Sequence, residues 1–351
     1  MHDLLPAMQA RAAAINTGQE FQAEDIDFLR QARALAAPIP EHLSGLGAGT
    51  EPAGARLLLA LLRALGRGNP AVARLFEAHV NALRLVVRYG TPAQARCAAG
   101  EALAGHLFGL WVTDTPGGAP LRVQDGRLHG SKGPCSGAGH CTRAVVTAAT
   151  RAGISLLLVA LSGREPVEAV AGMQGMRGAA NGVIALDGVA APADAVIGRP
   201  GDYLREPDFS CGAWRTSAAI SGALDALVEE ARLQLRRRNH AAAPMQQARF
   251  GEMLIARETA RLWVERACVV AECEQGAAAA RVAHVNLARS AVEAACTEAL
   301  RLVERSLGLS AVIAPHPVER LGRDLRTYLR QPAPDEALME AAAWHLDPPA
   351  P

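Results

Sequence analysis

The amino-acid sequence predicts a mostly α-helical protein with a central β domain, and three observations predict it. From the start to about residue 106, apolar residues return every three or four positions, as in EDIDFLRQARALA and GARLLLALLRALGRG. Between about 107 and 207 the period shortens. GLWVTD, RLHGSK, RAVVTAA, ISLLLVAL and NGVIALDGV are short β-branched runs, parted by Gly, Pro and Asp at roughly ten-residue intervals. From about 208 onward four long Ala-, Leu- and Arg-rich segments begin near Ala213, Gln246, Ala283 and Pro334, as a helical bundle requires.

The expected organisation is therefore a helical domain over 1–106, a β domain over 107–207 and a helical bundle with its tail over 208–351. Helices, then strands, then helices argue for segregated layers rather than alternating βαβ units, so a doubly wound nucleotide fold is excluded. No internal repeat is present, and LDPPAP reads as a frayed tail.

With 351 residues, 50% hydrophobic and 20% charged, the chain is able to bury a substantial core. Thirty-six basic residues against 35 acidic leave +1, no field that steers a protein onto nucleic acid or an anionic bilayer. The opening MHDLLPAMQARAAAI lacks the basic start and apolar run of a signal peptide, and no stretch approaches the roughly 20 apolar residues of a membrane span. A cytoplasmic protein is expected, without nucleic-acid or membrane partners. Seven cysteines form no CxxC pair and stand at no zinc-finger spacing to histidines, so neither disulfides nor a metal is implied. All but one of the basic residues are arginine, and the exception is Lys132.

Several segments carry residue types suited to a site, each beside a plainer reading. Gly45 to Thr50 has the glycines of a dinucleotide loop but no preceding strand, so it reads as a turn. Thr113, at the end of a β run, presents a hydroxyl and neighbouring amides to a polar ligand, although such a segment alone is an ordinary turn. Gly130 to Gly139 gathers small residues where a backbone approaches a flat ring, with Ser136 able to donate a hydrogen bond; alone it is a structural loop. Arg236, Arg237 and Arg238 share one helical turn, the place of a solvated face or of a guanidinium gripping a phosphate. His79 lies on an apolar helix, by default a satisfied core histidine. No HExxH, GxSxG or Walker loop is present, which leaves hydrolase chemistry without an anchor.

Taken in order, these segments resemble the acyl-CoA dehydrogenase superfamily of flavoproteins across nearly the whole chain. IPEHLSGLGAGT is similar to that family's P-x-x-x-G-G-x-G turn, RYGTPAQ to its G-T-x-x-Q, WVTDTPGG to its V-T-E-P-G and GSKGPCSGAG to its G-x-K segment. GMRGAANGVIALDGVAAPADAVIG and HPVERLGRDLRTY follow its G-x-R and P-V-E-R-x-x-R-D-x-R stretches. The resemblance implies an N-terminal helical domain, a middle β-barrel and a C-terminal four-helix bundle. It also implies a non-covalent FAD, in a homo-dimer or homo-tetramer whose neighbouring subunit completes the site.

By motif position, Thr113 would meet the flavin pyrimidine and Ser136 would lie near the flavin N5. Arg236 or Arg238 would bind the pyrophosphate of the partner's FAD, and Gly308 matches the glycine turn on the adenine side. Arg215 fits a contact on the substrate side, next to Trp214. The implied function is an FAD-dependent CH–CH oxidation of an acyl thioester or similar small molecule, passing electrons to an external acceptor.

Departures from the pattern leave the catalytic residue unknown. The position of the usual glutamate base falls on Pro332, the alternative position before Arg215 is Trp214, and Arg215's usual acidic companion is missing. Asp335 and Glu336, three and four residues past Pro332, are candidates for a displaced base. An alternative within the same fold is a flavin-dependent monooxygenase supplied by a flavin reductase, for which His79 and Ser136 stand at suitable places. Another is a degenerate flavin-binding or scaffold subunit, since the family's flavin-side Trp is Pro134 here.

Overall fold

The structure, a computed structural model, describes residues 5–14, 21–163, 165–273 and 275–347. The expected tail from residue 348 onward lies outside them. Among the described residues five α-helices come first: α1 (Leu5–Ala14), α2 (Ala23–Gln31), α3 (Ala55–Gly68), α4 (Pro70–Tyr89) and α5 (Pro92–Leu103). Nine strands follow: β1 (Phe108–Trp111), β2 (Arg122–Gln124), β3 (Arg127–His129), β4 (Ser131–Cys135), β5 (Arg143–Thr150), β6 (Gly153–Ala160), β7 (Val167–Ala169), β8 (Gly182–Ala185) and β9 (Val196–Ile197). Six helices close the chain: α6 (Asp208–Cys211), α7 (Ala213–Arg237), α8 (Pro244–Glu272), α9 (Ala278–Leu307), α10 (Pro317–Tyr328) and α11 (Pro334–Leu346).

The class is the one the periodicity predicts, a mostly helical chain around a β region, with differences in detail. Strands β2, β7 and β9 are two or three residues long, too short to show an alternating pattern. RLHGSK is two strands because Gly130, at φ +116°, breaks the run between them. The strands expected as a barrel divide between a sheet ordered β3-β2-β5-β6-β9, with β1 parallel to β5, and a sheet ordered β4-β8-β7. Helix α10 stands apart from α9 because Pro317 occupies its first turn and His316 caps it, accepting from the Val318 amide.

Helix α4 organises the packing. Asn69 caps it by accepting from Ala71 N, and Pro70 supplies its first residue. Val72, Phe76 and Val80 enter a core shared with α3, α7, α8 and α9, while Leu83 and Val86 pack with Phe108, Val145 and Leu156 of the large sheet. Helices α3 and α7 touch backbone to backbone. A Cβ on Gly66 would fall 2.0 Å from the Ala219 carbonyl oxygen, and one on Gly222 2.0 Å from that of Arg63.

Three of the sequence motifs prove to be seams between layers. In RYGTPAQ, Thr91 and Gln94 form a reciprocal capping box, and Gln94 Nε2 also donates to the carbonyls of Asp194 and Val196 at 2.7 and 2.8 Å. In ERLGRD, Asp324 accepts from the Met176 amide at 2.7 Å and from Arg320 at 3.2 Å, tying the bundle to the β domain. Lys132 is 1% exposed, and its ammonium donates to Val112 O at 3.2 Å, Asp114 Oδ1 at 2.5 Å and Thr147 Oγ1 at 2.9 Å. A buried ammonium so satisfied is a structural bolt between strands.

Candidate functional site

A cavity of about 530 Å³ opens where three layers meet: α4, the end of β1, and the bundle with its α10–α11 loop. On α4 the positions Arg74, Glu77, Asn81, Arg84 and Arg88 recur at three- or four-residue spacing and all line it. Most of the rest of the helix is apolar and buried, so the cavity side of α4 is a polar stripe on a core helix.

The stripe joins the start of α7 in one network. Glu77, 2% exposed, accepts from Asn81 Nδ2 at 2.5 Å, from Thr216 Oγ1 at 3.2 Å and from Arg74. Arg215 Nε donates to Asn81 Oδ1 at 2.5 Å, and its Nη1 lies 2.9 Å from Glu272 Oε1. Glu272 also receives Trp214 Nε1 at 2.8 Å and Arg84 Nη1 at 2.7 Å. Burial alone would raise the Glu272 carboxyl, but Arg84, Arg215 and the Trp214 bond outweigh it and hold the pKa below the ordinary carboxylate range. Burial and repulsion from Arg84 lower that of Arg215, against the pull of Glu272 and Glu77. Towards the mouth, Asp208 accepts from Tyr89 OH and Arg88 Nε, each at 3.0 Å. The Tyr89 phenol is pushed up to about 12 by burial and by Asp208.

The residues expected from the sequence are distributed unevenly. Thr113, Arg215, Pro332 and Glu336 line the cavity. Trp214 is fully buried behind Arg215. Asp335 is not among the lining residues, because one position along α11 turns its side chain aside. His79 is also absent from the lining and is 0% exposed. Its Nε2 lies 2.7 Å from Leu35 O and its Nδ1 accepts from Phe108 N at 3.1 Å, so both ring nitrogens are spent on backbone. Burial lowers its pKa to about 4. It is a core histidine joining α4 to β1, and a catalytic part for it is withdrawn.

Ser136 is not among the lining residues and donates to Asn181 Oδ1 at 2.8 Å. Arg236 and Arg238 lie at the far end of α7, where 22 residues of helix beyond Arg215 span about 33 Å, with Gly308 in the loop that Arg238 contacts. Arg236 is exposed, whereas Arg238 donates to Leu307 O at 3.1 Å and Ser310 Oγ at 2.6 Å. Gly308, at φ +63°, turns the chain out of α9 in that loop.

The acidic companion of Arg215, missing from its own segment, is Glu272 at the end of α8. A separation of 57 residues left no local signal for it. Glu77, Arg74 and Asn81 were equally unmarked, although a polar stripe on an apolar helix was a signal available in the sequence. Pro332 is held at the cavity by Arg289, whose Nη2 donates to its carbonyl at 2.5 Å.

The architecture is that of the acyl-CoA dehydrogenase fold. Residues 211–330 match the family described as acyl-CoA dehydrogenase, C-terminal domain. The whole chain superposes on KijD3, solved with FMN and dTDP-3-amino-2,3,6-trideoxy-4-keto-3-methyl-D-glucose, with a TM-score of 0.81 at 22% identity over 98% of this chain and 91% of that one. For butyryl-CoA dehydrogenase from Megasphaera elsdenii the TM-score is 0.80 at 17% identity, covering 99% of this chain and 98% of that one. TdsC from Paenibacillus sp. A11-2, solved with FMN and indole, gives 0.80 at 18%, covering 99% and 96%. No curated protein matches the sequence.

Proposed function

We propose that the protein is a flavin-dependent oxidoreductase acting on a small polar molecule in this cavity, of the oxygen-using rather than the acyl-CoA-dehydrogenating kind. The observation that carries the reading is the state of the two positions for a carboxylate base. Pro332 lines the cavity at one, and Trp214 is buried and bonded to Glu272 at the other. Removing an α-proton as hydride leaves the neighbouring carbon needs a base over the ring, and proline and indole supply none.

The residues present fit a flavin. Thr113 is exposed and lines the cavity, and its carbonyl accepts from Gly133 N at 3.2 Å, next in sequence to the exposed Pro134 of β4. The KijD3 and TdsC structures, both with FMN, support the same reading. Bound flavin would supply two-electron chemistry, with an external reductase or acceptor as its partner. The chain's own residues would bind and orient the substrate: the α4 stripe and Arg215 its polar groups, Leu110, Ile220 and Val292 its apolar part.

We propose FAD, with its pyrophosphate met by Arg236 or Arg238 of a neighbouring subunit in a cytoplasmic homo-dimer or homo-tetramer. The exposed Leu309, Val312 and Ile313 beside Arg238 suit such an assembly. Arg238 is already engaged within its own subunit, which favours Arg236 for the phosphate. A second reading, dehydrogenation with Glu336 as base, is favoured by one observation: that carboxylate lines the cavity one turn past Pro332.

Spectroscopy separates these. Protein incubated with FAD or FMN should turn yellow and retain the flavin on desalting, and no retained chromophore would favour a scaffold subunit. Anaerobic bleaching by acyl-CoA would decide for the second reading, and oxygen uptake dependent on a flavin reductase for the first.

A further inference from the structure

Hydrogen-bonding capacity at the deep end of the cavity is unequally spent. Both carboxylates are occupied: Glu77 accepts from Asn81, Thr216 and Arg74, and Glu272 from Trp214, Arg215 and Arg84. The donors are not. Among the described residues Arg74 hydrogen-bonds only through Nη1, to Glu77, which leaves its Nε and Nη2 for a ligand. Arg215 uses Nε and Nη1 and leaves Nη2. Tyr328, 3% exposed, has a hydroxyl with no hydrogen-bond partner, but it is not among the residues that line the cavity.

The mouth has the opposite character. Glu336 and Glu340 line it one helical turn apart on α11, and no ion pair to either is found among the described residues. An anion is repelled there and gains at the deep end, so the cavity orients a molecule with one charged end.

We propose that the deep end is a carboxylate subsite, in which the free edge of the Arg74 guanidinium and Arg215 Nη2 take the carboxylate of a small organic acid. This rests on reading the cavity as the substrate site. The guanidinium edge is a planar fork that matches the two coplanar oxygens of a carboxylate. The substrate's remaining carbons then lie along Leu110, Ile220 and Leu329, toward the mouth.

The test is calorimetric titration of the protein, both flavin-loaded and stripped of flavin, with butyrate, succinate, inorganic phosphate and the neutral isostere butyramide. Butyrate and succinate should bind saturably, with butyramide at least about tenfold weaker. Arg74→Gln should weaken carboxylate binding about tenfold or more, and Arg74→Lys, which keeps the charge and loses the planar fork, several-fold with an unchanged melting curve. If Arg74→Gln fails to fold, Arg74→Lys decides alone. Absent carboxylate binding, butyramide binding equally well, phosphate binding more tightly than either carboxylate, or an unaffected Arg74→Lys would each overturn the subsite. Carboxylate binding by a protein that takes up no flavin would leave the subsite standing and remove the flavin reading; flavin uptake without carboxylate binding would do the reverse.

Discussion

Acidification should destabilise this protein through His79 in a way that one substitution isolates. The ring is buried, both nitrogens are bonded to backbone, and its pKa is lowered to about 4 from an ordinary 6.5. A histidine that is harder to protonate folded than unfolded stabilises fully above the unfolded value. That contribution is lost as the pH falls from 6.5 toward 4, because the unfolded chain takes up the extra proton. Between those limits the loss is about 1.4 kcal/mol per pH unit, reaching about 2 kcal/mol near pH 5. Carboxylates elsewhere also titrate in this range, so the quantity to measure is the difference between wild type and His79→Gln in urea unfolding, followed from above pH 7 down to pH 5. Wild type should lose about 2 kcal/mol more than the variant over that span. Parallel pH dependences, or an NMR titration placing the ring near 6.5, would refute the burial argument.

Glu272→Ala should destabilise by about 3–5 kcal/mol, since it leaves the guanidinium of Arg215 buried and facing Arg84 without its ion-pair partner, and the melting temperature reads the loss directly. Gly222→Ala should cost about 1–3 kcal/mol or more, because the new methyl meets the Arg63 carbonyl at 2.0 Å and α3 must move away from α7; a melt unchanged from wild type would contradict that contact. Arg236→Ala should weaken FAD retention about tenfold or more while Arg238→Ala alters it less, as measured by flavin released on dilution. Should acyl-CoA bleach the protein, Glu336→Gln should abolish the bleaching and Asp335→Asn should not, because only the former lines the cavity.

Much of the fold was legible because periodicity is local. The change from a three-to-four-residue repeat to short β-branched runs and back marked the helical, β and helical thirds without any knowledge of contacts. It missed β2, β7 and β9 because two or three residues carry no period, and it ran past Pro317 because a new helix there resumes the old pattern. Several of the motifs hold layers together: Gln94 reaches carbonyls at the start of β9, Asp324 the Met176 amide, and Lys132 three oxygens.

By itself, the sequence determined which residues are unavailable for chemistry: proline at position 332 cannot take a proton whatever surrounds it. Tertiary structure alone decided which charges meet. It turned His79 into the core, brought Glu272 from the end of α8 to Arg215, and set Thr216 against Glu77. The reason is physical. Helical and strand propensities act within a few residues, whereas the pairing of a buried charge is settled by whichever distant side chain the packing places against it.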